Sequence, residues 1–212
     1  NEGRCLMSAT ATGSAGDELV GRLRESSIKM VDVARFLDDL SGGDRIQAIR
    51  SLAAKDQRRL YEVSDGFSAV RLVDIVPPST SDLGIVRHYG KNSLPFFTEF
   101  EKRFSRAPGI SPDSPNELMG FNFQTMSPIT GPGYFIATED VKRGEVVVDY
   151  RRVPDCHPEG WPEIQGNERW VARLVYGFMI DTLRRVSEHV TIGSASRDGK
   201  DLGNWFVLCR ES

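Results

Sequence analysis

Cys156 and His157 stand side by side in the loop Val153 to Gly166, and a thiol next to an imidazole is the raw material of a cysteine nucleophile or a metal site. Side chains of adjacent residues diverge, so the two cooperate only in an unusual loop. His88 and His189 stand alone, no second cluster follows at ligand spacing, and zinc needs about four converging ligands. No metal and no cofactor are therefore expected. Cys209 and His189 share the last predicted hairpin and would make a second thiol–imidazole pair. That pair lacks a visible orienting group, and a cysteine inside an apolar run behaves as a small hydrophobe. Gly131-Pro132-Gly133 lacks the following helix and the Gly-Lys-Ser/Thr of a phosphate loop, and reads as a hairpin turn. The nucleophile elbow, zincin, kinase and dinucleotide patterns are all missing, so no catalytic residue is assigned.

Binding residues are a different matter. Asn122 and Gln124 fall on one face of a predicted strand, and Asp149 and Arg151 on one face of another. If those faces meet beneath a helical layer, the four side chains place hydrogen-bonding groups among aromatics, as small-molecule sites do; otherwise the face is solvated. Gly177, inside a predicted helix, costs roughly 1 kcal/mol relative to alanine, which close approach of another backbone would justify. With Arg173 and Asp181 one turn to either side, it marks a candidate homodimer face. Phe96, Phe97, Phe100 and Phe104 recur at helical spacing, which suits a helix docked on a sheet or a stripe that receives a partner.

The elements that position these residues follow from periodicity. Residues 1–16 read as a disordered tail, rich in small polar residues at positions 8–16, with Met7 a natural start. Leu19, Leu23, Val31, Ala34 and Leu37 predict a first helix, stopped by Ser41-Gly42-Gly43. Asp44 as N-cap, with Gln47 completing a capping box, opens a second helix that ends near Gly66. Residues 17–66 thus form a helical hairpin. Pro77-Pro78-Ser79-Thr80-Ser81 links it to residues 82–212. There Ser93 caps the phenylalanine helix. Strands at Met119–Met126, Tyr134–Thr138 and Glu145–Arg151 form a meander. Asn167 caps a long helix reaching Glu188, with Val171, Leu174, Val175, Phe178, Met179, Leu183 and Val186 buried and Arg169, Arg173, Asp181, Arg184 and Arg185 wet. Strands at His189–Ser194 and Gly203–Arg210 turn at Asp198-Gly199. The last strand is apolar on both faces, so it is expected to be covered on both sides.

Composition sets the outer bounds. A 212-residue chain, 39% hydrophobic and 27% charged, buries a core without staples. A net charge of −3 gives no basic footprint for nucleic acid. No apolar run spans a membrane and no signal peptide is present, so cytoplasmic placement is expected.

The run GEVVVDYRRVP from Gly144, the segment RLVYGFMIDTLRRVSEHVTIG and the last strand NWFVLC together resemble bacterial vinyl-4-reductase-type and haem-NO-binding-associated sensory domains, and related myxobacterial domains. The likeness covers roughly residues 144–210. Tyr150-Arg151 and Gly177-Phe178 match in kind; the Pro-rich stretch 153–166 and the Gly-Pro-Gly turn have no counterpart. The resemblance implies small-molecule sensing and dimerisation without catalysis.

The sequence expectation is therefore an α+β fold: a mainly antiparallel five-stranded sheet, a long C-terminal helix on one face and an N-terminal helical hairpin. The expected function is non-enzymatic small-molecule binding or regulation. Its rivals are a small enzyme using Cys156 and His157, and an adaptor that docks a partner through the phenylalanines or the hairpin.

Overall fold

A computed structural model describes residues 13–96, 98–123, 133–164 and 178–211. The chain opens with α1 (Ala15–Arg24), α2 (Met30–Asp39), α3 (Gly42–Arg50), α4 (Ala54–Val63) and the short α5 (Leu72–Ile75). Eight strands follow: β1 (Val86–Asn92), β2 (Glu99–Ser105), β3 (Leu118–Phe123), β4 (Tyr134–Asp140), β5 (Glu145–Asp149), β6 (Met179–Arg185), β7 (Val190–Arg197) and β8 (Lys200–Arg210). Each pairs antiparallel with its neighbour in sequence, and β1 pairs with β8, so the sheet closes into a barrel.

This replaces the expected five-stranded sheet. The phenylalanine helix is β2, and the C-terminal helix is not formed, because Met179–Arg185 is β6. The supposed start of that helix, with its cap Asn167, lies outside the described residues, as do Phe97, residues 131–132 and the first part of the tail. The expected hairpin of two helices is four helices. Leu23 and Met30 are seven residues apart, so the apolar stripe stays in phase across the break between α1 and α2. The second break follows Ser51, whose Oγ turns back onto the Ala48 carbonyl at 2.6 Å. Ser41, not Asp44, caps α3: its Oγ accepts from the Asp44 amide at 3.2 Å. Ser14, placed in the disordered tail by composition, caps α1 through a capping box with Asp17.

Strand alternation sorts the barrel side chains into two sets. Val86, Phe100, Phe104, Leu118, Phe135, Ala137, Val146, Val148, Leu183, Phe206 and Leu208 face the interior. Gly193 in β7 faces Phe206 in β8, and a Cβ there would lie 2.3 Å from the ring, so glycine makes room for it. The outer faces of β7 and β8 (Val190, Ile192, Val207, Cys209) pack against Leu19, Leu23, Met30, Val33, Leu37, Ala48, Ile49, Leu52 and Leu60 of the helical layer. The final strand is covered on both sides as expected, but its second cover is the barrel interior. Arg184 clamps the two layers together: it bonds Glu145 at 2.7 Å and the Tyr61 carbonyl at 3.0 Å, and lies 4.0 Å over the Tyr61 ring. It had been expected on the wet face of a helix.

The two barrel ends differ. Sequential antiparallel pairing puts the β2–β3, β4–β5 and β6–β7 connections at one end. There the segment through α5 inserts Val70, Leu72, Ile75 and Val76 into the interior cluster. It is tied down by the Val70 amide on the Gly144 carbonyl at 3.0 Å and the Leu72 amide on Glu139 at 2.7 Å. The other end carries the β1–β2, β3–β4, β5–β6 and β7–β8 connections. The β7–β8 turn holds Asp198 and Gly199 at positive φ (51° and 75°), the backbone that an Asp-Gly hairpin turn requires. No helix among the described residues is long and apolar enough to cross a membrane.

Candidate functional site

Lys102, in the middle of β2, points inward between Phe100 and Phe104, with its side chain 2% exposed. An ammonium buried to that degree needs counter-charge and acceptors. Asp181 of β6 supplies the charge at 2.8 Å, Asn122 of β3 accepts through Oδ1 at 3.0 Å, and the Tyr150 hydroxyl, just past β5, makes a short contact. Tyr150 also donates to Asp181 Oδ2 at 3.1 Å and accepts from Asn122 Nδ2 at 2.9 Å. Four strands that are distant in sequence thus place one polar group each on a common point inside the barrel.

The surroundings are aromatic. Nζ lies 4.9 Å from the Tyr150 ring centroid, 5.0 Å from Phe206, 5.2 Å from Phe135 and 5.8 Å from Phe100. Ring faces stabilise the ammonium further. Burial nevertheless pushes the Lys102 pKa below its usual value, against the opposing charge and hydrogen bond of Asp181.

The hydrogen-bond inventory leaves one atom over. The three ammonium protons of Lys102 face three acceptors. Asp181 Oδ2 accepts from both Lys102 and Tyr150, while Oδ1 of the same buried carboxylate accepts from no protein donor. A buried carboxylate oxygen without a donor costs on the order of 1–3 kcal/mol, so it calls for a donor from outside the protein, a water or a ligand.

Toward the α5 end of the same interior, His88 in β1 is paired in register with Lys102. Its Nε2 donates to the Ile75 carbonyl at 3.0 Å, and its ring meets Phe104 edge-on at 4.9 Å. Burial, with Arg210 and Lys102 nearby, pushes its pKa down to about 3 against the Ile75 hydrogen bond, so the ring is neutral at pH 7.

Of the residues expected to bind a ligand, Asn122 is in this cluster. Asp149 and Arg151 are not: strand parity turns them outward, where they pair with each other at 2.8 and 2.9 Å. Burial raises the Asp149 pKa, but the Arg151 hydrogen bonds and the Arg151 and Arg152 charges outweigh it and hold the carboxyl below its usual range. Asn122 and Asp149, expected on coinciding faces, therefore lie on opposite sides of the barrel wall. Gln124 lies outside the described residues, as do Arg173 and Gly177 of the expected dimer face. Asp181, the third residue of that face, is instead buried against Lys102.

Cys156 is exposed, and His157 Nδ1 lies 2.9 Å from the neighbouring Pro158 carbonyl. Cys209 sits on the outer side of β8 among the helices, where burial pushes its pKa up to about 11. His189 has its Nε2 3.8 Å from Glu188. Among the described residues no group of His, Cys, Asp or Glu is placed to hold a metal ion. The phenylalanine stripe is split: Phe100 and Phe104 are buried in the barrel, and Phe96 is exposed.

Sequence reasoning missed Lys102, Tyr150 and the placement of Asp181. The available signal was Phe100-Glu-Lys102-Arg-Phe104, which alternates as a strand once Lys102 is allowed inside. No protein-family model matches the sequence, and no curated protein matches it.

Proposed function

We propose that this protein binds a small molecule inside the barrel, against the Lys102–Asp181–Tyr150–Asn122 cluster. The observation that carries the reading is the buried Asp181 Oδ1, a charged acceptor with no protein donor in an aromatic-lined interior. An eight-stranded barrel has an interior that either side chains fill or one small ligand shares with them. The α5 segment covers one end of the barrel, which makes the opposite end the entrance this reading requires. Its rim bears Leu94, Phe96, Phe123, Phe178 and Leu202, all exposed. These come from strand ends and connections that share one end of the barrel, and exposed apolar groups that lie together mark interaction sites.

The test is native mass spectrometry of the protein as purified from cells, beside the same sample denatured. A stoichiometric organic mass that is lost on denaturation, and reduced in the Asp181→Asn variant, is the expected result. A bare chain in every preparation, together with no retention of any compound from an extract of the expressing cells, would overturn the reading.

A further inference from the structure

We infer that the molecule bound in the barrel is electrically neutral and largely apolar, and presents a hydrogen-bond donor, a hydroxyl or amide N–H, to Asp181 Oδ1. The inference rests on the proposed binding function and narrows it to one chemical class.

Charge and hydrogen bonding both lead there. The cluster contains one cation and one anion, Lys102 and Asp181, at 2.8 Å, so the pair is neutral as it stands. A ligand that adds a charge adds an uncompensated one in a site away from water. A carboxylate would seek an ammonium or guanidinium. Lys102 directs its three protons at Asn122, Tyr150 and Asp181, so it offers an incoming anion nothing without breaking its own network. The carboxylate would also approach Asp181, a like charge. An ammonium ligand could reach Oδ1, but it would stand beside Lys102, whose charge already occupies the faces of Phe100, Phe135, Tyr150 and Phe206. His88, opposite Lys102 in β1, is neutral at pH 7, and Arg210, opposite His88 in β8 toward the α5 end, has the Glu188 and Asp74 carboxylates as its counter-charges. Within the cluster itself, what remains is the acceptor Oδ1, which a neutral donor satisfies without changing the net charge. Apart from His88 and Thr191, whose Nδ1 and Oγ1 are further buried atoms without a partner, the surroundings are largely hydrocarbon and aromatic, so the rest of the ligand is apolar.

The experiment is isothermal titration of the full chain at pH 7.5 with three probes of equal length: 1-octanol, octanoate and octylammonium. Octanol is expected to bind at least about tenfold more tightly than either ion. The margin over octanoate is expected to approach a hundredfold, because a carboxylic acid is less than about 1% protonated at that pH and only the acid form carries the donor. Asp181→Asn turns the acceptor into an amide that keeps its oxygen toward Lys102 and presents N–H to the ligand. In that variant the preference for octanol over octanoate should shrink at least tenfold or reverse. Should the variant not fold, the wild-type ranking of the three probes decides alone. Equal or tighter binding of either ion by the wild type overturns the inference and leaves the binding function standing. No binding of any probe, by a protein that retains a molecule in native mass spectrometry, also overturns the inference alone. No binding by a protein that is also bare overturns both.

Discussion

Replacing Lys102 with methionine keeps most of the stem and removes the charge. Asp181 is then a carboxylate 3% exposed, without its counter-ion, and with only the Tyr150 hydroxyl still donating to it. Breaking a buried pair from one side costs roughly 3–5 kcal/mol, because the remaining charge is left uncompensated. For a chain of this length that corresponds to a fall of roughly 10 °C in melting temperature. Asp181→Leu should cost a comparable amount, since it strands the buried ammonium. The double variant removes both charges and takes the Lys102 donor from Asn122 Oδ1, a loss on the order of 1–3 kcal/mol. Urea unfolding followed by circular dichroism gives all four stabilities. The expected pattern is a double variant more stable than either single one. If the double variant instead loses the sum of the two single losses, Lys102 and Asp181 are not coupled, and the site as described does not exist.

Four further outcomes are expected. His88 has a folded pKa near 3 against about 6.5 when unfolded, so the unfolded chain takes up a proton that the folded chain refuses. Its contribution is present above pH 6.5 and lost as pH falls toward 3. His88→Gln, which retains a donor for the Ile75 carbonyl, should therefore gain on the wild type by roughly 3 kcal/mol between pH 7 and pH 4 in urea titrations; a constant difference would contradict the burial of a neutral ring. A Cβ on Gly120 would lie 2.4 Å from the Phe135 ring and 2.5 Å from the Arg103 carbonyl, and backbone cannot yield, so Gly120→Ala should cost about 1–3 kcal/mol. Gly43→Ala in α3, with nothing within 4 Å, should instead stabilise by about 0.5–1 kcal/mol in the same melts. With iodoacetamide at pH 8, exposed Cys156 should alkylate within minutes while Cys209, its pKa raised to about 11, stays unmodified until the chain unfolds, as peptide mass mapping would report.

Much of the strand content was legible. Met119-Gly-Phe121-Asn122-Phe123, the runs at Tyr134 and Glu145, and the last hairpin with its Asp-Gly turn alternate as strands should, and each lies in a strand of the barrel. The helical character of the N-terminal third was legible as well, though its breaks were hidden by a stripe that remains in phase. Strand β1 was not proposed at all, and two further strands were misread as helices for one reason. In β2 the inward positions are Phe100, Lys102 and Phe104; with a lysine in the middle, the phenylalanines appear four apart and imitate a helix. In β6 the inward positions Met179, Asp181 and Leu183 have a charge in the middle, which hides the alternation in the same way.

The sequence by itself determined local things: turn chemistry, apolar alternation where both inward residues are hydrocarbon, and the helical stripe. These depend on neighbours within a few residues. Lys102 and Asp181 are 79 residues apart, and each is an inside residue only because the other is. A charged side chain is buried when its partner is at hand and exposed when it is not. Which of those holds is decided by barrel closure, which brings β2, β3, β5 and β6 around one point. No window along the chain contains that information, so both the inward face of two strands and the site they build were settled only in three dimensions.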